Sequence, residues 1–339
     1  MSKSPPPYQC LVCALLPPSL AVLAAAATAR EWPADLPLAG ALGRMLESLQ
    51  PQLAALAVLM GLALALLGAR RLGAALAIVA VLAGGAVAAR HLRVAQPLVP
   101  GAAPVATVLW INLLNTNATP PEELAEALAA SPADVILVAE PRALQSQLAA
   151  LSEAFPVQVG CRDSREGCGM LALARDPAVR LRLRKAGGYR PGGIAVAEID
   201  RPGAAPLTVI GAHLVKPWFD GMIEPEAWYL VDALRNVPGP LVLAGDFNAA
   251  PWSQRGGRLE RKCGMLPPRL PVATWPVAAG ALGVPIDGMM VRGGARLASL
   301  APWGEALGSN HRGLLASVAV PGPETVAPPD SCSPAGYFD

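Results

Sequence analysis

Three stretches without a single charged residue fill most of the first ninety positions: Ser4–Ala29, Ser48–Ala69 and Leu72–Ala89, of 26, 22 and 18 residues. An α-helix rises about 1.5 Å per residue and the hydrocarbon core of a bilayer is about 30 Å thick, so the second run spans comfortably and the third only just does. The alternative, a buried hairpin of a soluble protein, is disfavoured because neither run has any polar face. The pattern predicts an anchor over residues 1–93 with three transmembrane helices, at about 8–29, 48–69 and 72–89.

Pro17-Pro18 interrupts the first run, and Ala27-Thr28-Ala29 before Arg30 also fits a small-residue cleavage site; we read a helix. Either reading places Arg30–Glu47 outside. The Arg70-Arg71 turn then lies in the cytoplasm by the positive-inside rule, although Arg90 and Arg93 at the far end of the third run pull against it. A multi-pass protein of a bacterial cell membrane with an extracytoplasmic C-terminal domain is the expectation. Composition agrees with a divided chain, because only 15% of its residues are charged where a soluble domain carries about 25%.

The surplus of positive charge belongs to the anchor. Residues 1–93 hold 7 of the 27 Lys and Arg and 3 of the 25 Asp and Glu, which leaves 20 basic and 22 acidic residues beyond. A near-neutral remainder argues against a strongly basic nucleic-acid surface. Cys161 and Cys168 bracket a polar loop that either closes as a hairpin disulfide or keeps two thiols. The three histidines show no zinc-type spacing.

Residues 94–104, with three Pro and one Gly, read as a linker. Beyond them short apolar runs alternate with turns. Strands are expected at Val105–Asn112, Asp134–Ala139, Gly169–Arg175, Val179–Lys185, Gly193–Asp200, Pro206–His213, Pro240–Asp246, Pro285–Arg292 and Gly313–Val320. Helices are expected at Pro120–Ala130, Pro141–Ala154 and Ile223–Val237. Helices first, then a run of strands, then alternation again does not fit a strict parallel repeat; two mixed sheets packed together with helices outside accommodate it. One domain spans 105–320, and a Pro-rich tail without packed structure covers 321–339.

Polar residues at the ends of apolar strands are the informative ones, because burying them costs free energy unless something binds there. Asn112 ends Trp110-Ile111-Asn112, Glu140 follows Ile136-Leu137-Val138-Ala139, and His213 ends Val209-Ile210-Gly211-Ala212-His213. Asp246 and Asn248 follow Leu241–Gly245, Asp287 follows Ile286, and Ser309-Asn310-His311 precedes the last strand. Together they supply hard oxygen ligands for a divalent cation, two imidazoles for proton transfer and amide donors for an anionic transition state. That set points to metal-assisted phosphoryl chemistry.

The ordered series Asn112, Glu140, His213, Gly245-Asp246-Phe247-Asn248, Ile286-Asp287 and Ser309-Asn310-His311 resembles the endonuclease/exonuclease/phosphatase family, whose fold is shared by DNase I, abasic-site endonucleases, sphingomyelinases and inositol-phosphate 5-phosphatases. Ala273-Thr274-Trp275-Pro276 is similar to a bacterial branch with N-terminal transmembrane helices. The resemblance implies an α/β (α+β) domain, a four-layer αββα sandwich of two mixed sheets, and a Mg²⁺- or Mn²⁺-dependent phosphodiesterase. It implies that Glu140, Asn112 and Asn310 hold the metal, that Asp287 orients His311, that Asp246 positions the attacking water, and that Asn248 and His213 donate to phosphate oxygens. Two positions depart from the pattern. Asn310 stands where many members have Asp, which keeps a non-catalytic phosphate- or lipid-headgroup-binding domain as the alternative, and Gly288 stands where His is common.

For the substrate, Lys216, Trp218 and Phe219 after His213 form a basic-aromatic rim suited to a base or a lipid headgroup. Arg255, with Arg258, Arg261 and Lys262, follows the Asp-Phe-Asn loop and could lie beside the site. Arg180, Arg182 and Arg184 share one strand face, as a phosphate-binding ridge or, favoured, a solvated surface. The expected partners are the bilayer and a phosphorylated substrate, either nucleic acid or a phospholipid headgroup; tethering favours a lipid phosphodiesterase or phosphatase over a nuclease. No protein partner is expected.

Overall fold

The computed structural model describes residues 7–33, 36–161, 169–184, 193–305 and 307–322. They form two compact units, one holding residues 1–93 and 252–254 and the other the remainder. In the first unit, helices α1 (Pro7–Thr28), α2 (Pro37–Ser48), α3 (Gln50–Leu66) and α4 (Arg70–Val94) follow one another. The segment Gln9–Glu31 and α4 are each long and apolar enough to cross a membrane.

The second expected span, Ser48–Ala69, falls on the single but shorter helix α3, and the 79° bend between α2 and α3 lies at its N-terminal edge. Pro51 in the first turn of α3 has no N–H to continue the ladder from α2, and 17 residues of α3 rise only about 25 Å. The pair counts as a third span only if its bent halves act as one. The third expected span is longer than 72–89, because α4 continues through Arg90, His91 and Arg93. Gly61 and Gly73 let α3 and α4 close up: a Cβ on Gly61 would lie 2.7 Å from the Gly73 carbonyl oxygen.

The second unit is a sandwich of two mixed sheets. The first sheet has the order β10-β11-β1-β2-β4-β3, with β1 (Ala106–Asn112), β2 (Val135–Ala139), β3 (Val157–Val159), β4 (Met170–Ala174), β10 (Arg296–Trp303) and β11 (Gly313–Ala319). The second runs β5-β6-β7-β8-β9, with β5 (Arg180–Arg184), β6 (Ile194–Ile199), β7 (Leu207–His213), β8 (Leu241–Asp246) and β9 (Asp287–Arg292). Each sheet is antiparallel except for one central parallel pair, β1 with β2 and β7 with β8. A helix makes each crossover, α5 (Pro121–Ala130) in the first sheet and α7 (Asp220–Arg235) in the second.

Period-two alternation divides the strands between two environments. Val108, Trp110, Leu137, Val209, Val242 and Met289 pack between the sheets. Leu109, Ile111, Ile136 and Val138 pack outward against α5 and α6 (Leu148–Ala154), and Ile210 and Leu243 pack against α7 and α8 (Gln254–Cys263). Four layers result, as the resemblance implies. The run expected as a helix at Pro141–Ala154 begins as a 3₁₀ turn, Pro141–Gln147. Strands β3 and β10 are additions to the expected set. Residues expected to form a linker are instead held to the sandwich: the Gln96 N–H donates to the Pro267 carbonyl at 2.8 Å and the Val99 N–H to that of Leu297 at 2.9 Å. Cys161 is disulfide-bonded, while Cys168, Lys185 and the tail from residue 323 lie outside the described residues.

Candidate active site

The strand alternation that builds the core also delivers the polar residues. On β1, Val108 and Trp110 face the second sheet, so Asn112 is the next inward position; on β7 and β8 the same parity carries His213 and Asp246 inward after Val209 and Ala244. β9 runs antiparallel to β8 and begins where β8 ends, which sets Asp287 opposite Asp246, itself opposite His213. Asn112, His213, Asp246, Asp287 and His311 are all buried. They cap the inner faces of both sheets at one edge.

Glu140 breaks the parity. Val135, Leu137 and Ala139 face inward, so a continued strand would point Glu140 toward the helices. Its backbone is instead left-handed, at φ 50° and ψ 49°. Its carboxylate accepts from the Asn115 N–H at 2.8 Å and from the Asn112 amide at 3.4 Å. A left-handed conformation costs a non-glycine residue free energy and recurs where a side chain must be re-aimed. Asn248 has the same feature, with φ 49°; its N–H donates to Asp246 Oδ1 at 2.9 Å.

The Asn112 amide ties the sheets together, donating also to Asp246 Oδ2 at 3.1 Å. His213 Nε2 lies 3.7 Å from both Glu140 Oε1 and Asp246 Oδ2. His311 Nδ1 meets Asp287 Oδ2 at 2.8 Å, and the other oxygen of Asp287 accepts from the Trp110 indole N–H at 2.9 Å. The hydroxyl of Ser309 donates to the Asn112 carbonyl and accepts from the His311 N–H, holding the loop before β11 against β1. The Thr274 hydroxyl oxygen accepts from the Asp287 N–H at 3.0 Å.

Electrostatics follow from this crowding. Burial, then the neighbouring Asp287 carboxylate, pushes the Asp246 carboxyl up to about 7. Burial works against the His311 imidazolium, but Asp287, Asp246 and Glu140 outweigh it and raise its pKa to about 9. Burial also disfavours the Glu140 carboxylate, yet the Asn115 N–H, His213 and the Asn112 amide hold its pKa below the ordinary value. Asp246, Asp287 and His311 each offer a ligand atom, all within 4.8 Å of one another.

A family model for the Endonuclease/Exonuclease/phosphatase family matches residues 109–311, more than half of the chain and every residue of this cluster. The chain belongs to that family. No curated protein sequence matches it. Among solved structures, a functionally unknown conserved protein from Enterococcus faecalis V583 aligns at 16% identity and a TM-score of 0.50, over 63% of this chain and 100% of that one. An endonuclease/exonuclease/phosphatase family protein from Leptotrichia buccalis C-1013-b gives 13%, 0.47, 63% and 99%. A humanized D. rerio TDP2 gives 14%, 0.46, 63% and 99%. At these identities the likeness concerns the fold.

Other residues singled out within the family domain fall in different places. Asn310, expected as a metal ligand, is exposed and outside the buried cluster; its carbonyl accepts from the Val277 N–H at 3.0 Å. The Asn248 side-chain amide spends one donor on the Leu214 carbonyl at 2.8 Å. Arg255, expected to meet substrate, donates through Nη1 to the carbonyls of Val215 and Phe247, at 3.0 and 2.6 Å, and so ties the His213 loop to the Asp246 loop. Arg258 pairs with Glu224. Arg180 and Arg182 pair with Glu198, and Arg184 with Asp232, so the strand face is a paired surface rather than a phosphate ridge. Lys216 and Trp218 are exposed at the rim, with Lys216 Nζ 5.7 Å from the Trp218 ring centre. Trp110 and Thr274 are additions to the expected set. Trp110 could have been found from its same-face spacing two residues before Asn112.

Proposed function

We propose that this domain is a divalent-cation-dependent hydrolase of phosphoric esters, a phosphodiesterase that uses Mg²⁺ or Mn²⁺ and is tethered to a membrane by the apolar helices. The observation that carries the reading is the convergence of Glu140, Asp246 and Asp287 with His213 and His311 at one edge of both sheets. Three neighbouring carboxylates, one of them held near neutrality by burial and repulsion, fit a cation as the missing counter-charge. Glu140 and Asn112 are the residues we assign to hold it. When bound, it polarises a phosphate oxygen and offsets charge on the leaving group.

The chain's own groups have separable tasks. Asp287 fixes His311 through Nδ1 and so leaves Nε2 to face substrate. Asp246, with a carboxyl pKa near neutrality, is suited to accept the proton of the attacking water. His213 and the second amide hydrogen of Asn248 donate to the non-bridging oxygens, and His213 protonates the departing group. Lys216 and Trp218 flank the entrance.

Full-length protein assayed with bis-p-nitrophenyl phosphate should turn over with Mg²⁺ or Mn²⁺ and stop in EDTA. His213→Ala, Asp246→Ala and His311→Ala should each lose about a hundredfold or more in kcat. Retention of full activity by all three would refute the site. We place the domain outside the cytoplasm, and an alkaline phosphatase fusion after Val94 that stays inactive would overturn that topology.

A further inference from the structure

Among the described residues of the second unit, seven large hydrophobic side chains are exposed, and five of them stand on two loops: one leaves the catalytic edge after His213, and the other runs from the end of α8 to that edge at Asp287. Trp218 and Phe219 follow His213; Leu270, Trp275 and Leu282 lie between α8 and Asp287. Leu270 is 85% exposed and Leu282 78%, more than any other large hydrophobic residue of this unit. Apolar side chains gathered on two loops that both reach the catalytic edge mark an interaction surface rather than scattered surface residues.

The longer loop has two fixed ends. Near its start, the Gln96 N–H donates to the Pro267 carbonyl at 2.8 Å and the Arg269 N–H to the Gln96 carbonyl at 2.9 Å. Gln96 is only two residues beyond the end of α4, about 7 Å of fully extended chain, and α4 is long and apolar enough to cross a membrane. Farther along, the Val277 N–H donates to the Asn310 carbonyl and the Arg312 N–H to that of Thr274, on either side of His311. One loop therefore connects the chain's exit from an apolar helix to the catalytic edge.

Its chemistry suits an anionic bilayer surface. Tryptophan and lysine settle at the headgroup level of membranes, and Lys216 lies against the Trp218 ring. Lys216 and Arg269, both exposed, add positive charge beside the apolar side chains.

We propose that the 264–286 loop and the Lys216–Phe219 turn form a bilayer-docking face, and that the substrate is the headgroup phosphodiester of a glycerophospholipid taken from that surface. The substrate assignment rests on the hydrolase reading; the docking face does not. Water adds its oxygen to phosphorus, one P–O ester bond breaks, and the departing alkoxide takes a proton, giving a phosphomonoester and an alcohol.

The test uses the full chain in vesicles of phosphatidylcholine and phosphatidylglycerol, with a headgroup-labelled phospholipid and bis-p-nitrophenyl phosphate as paired substrates. A Leu270→Ser/Leu282→Ser variant should lose about tenfold or more on the lipid and stay within about twofold on the soluble ester. Equal rates on the lipid, or equal losses on both substrates, would overturn the docking face. Acyl-brominated phosphatidylcholine should quench the Trp275 emission, measured as the difference from a Trp275→Phe chain. Absence of that quenching would overturn docking even in an inactive protein. Quenching without turnover of either substrate would uphold docking and defeat the hydrolase reading.

Discussion

The Trp110 indole N–H donates to Asp287 Oδ1 at 2.9 Å, while Asp287 Oδ2 meets His311 Nδ1 at 2.8 Å, so a wholly buried tryptophan of one sheet fixes the carboxylate that orients a histidine beside the other. Trp110→Phe removes that donor and keeps most of the packing. A buried carboxylate oxygen left short of a partner costs about 1–3 kcal/mol. We expect urea unfolding to show a loss in that range, with kcat down about tenfold and KM little changed, because the indole touches no substrate. A raised KM at unchanged kcat would assign Trp110 to binding instead.

Arg255 yields a second prediction through the two carbonyls it serves. Arg255→Ala should lower stability by about 1–3 kcal/mol and reduce kcat, since the His213 and Asp246 loops lose their common tie. Arg255→Lys should recover only part of either, because a single ammonium lacks the planar fork. A variant with normal Tm and kcat but a higher KM would return Arg255 to the substrate.

The paired sheets were legible in the sequence because inward and outward residues alternate cleanly in β1, β7 and β8, and because the polar ends of those strands fall in phase with the inner face. Two kinds of feature were not legible. Strand β10 reads as Arg296-Leu-Ala-Ser-Leu-Ala-Pro-Trp303 and lies at a sheet edge with Pro302 inside it, so neither its apolar content nor its breakers announce a strand. The role of Arg255 depends on which carbonyls approach it across two loops, a tertiary relationship that no local pattern encodes. The bend between α2 and α3 falls beside Pro51 at the very edge of the uncharged Ser48–Ala69 run, where the absence of charge carries no signal of it.

Protonation predicts how stability should respond to pH and metal. Asp246, ordinarily near 3.8, is raised to about 7, and His311, ordinarily near 6.5, to about 9. Both bind a proton more tightly folded than unfolded, so their contribution is fully present below the ordinary values and is lost as pH rises through the raised ones. The lowered carboxyl of Glu140 acts in the opposite sense only near and below its ordinary value, so in EDTA the Tm of the domain should fall as pH climbs from about 6 to about 9. Added Mg²⁺ supplies the missing positive charge, and its stabilising increment should be larger at the alkaline end. A Tm in EDTA that rises with pH over this range would contradict the coupling.

Asn310 carries the last prediction. In the family resemblance Asn310 stands where many members have Asp, the departure that keeps a non-catalytic binding domain as the alternative. The residue is exposed, whereas Asp246, Asp287 and His311 are buried, and its backbone rather than its side chain engages the Trp275–Val277 segment. An exposed charge acts through solvent and is typically worth about 1 kcal/mol or less, a factor of about five in rate. Asn310→Asp should accordingly change kcat/KM on bis-p-nitrophenyl phosphate by no more than about fivefold, while Asp246→Asn, at the buried centre, should cost far more. A gain of a hundredfold from Asn310→Asp would place a metal-binding or charge-relay function at this exposed position and would make the natural protein an attenuated enzyme.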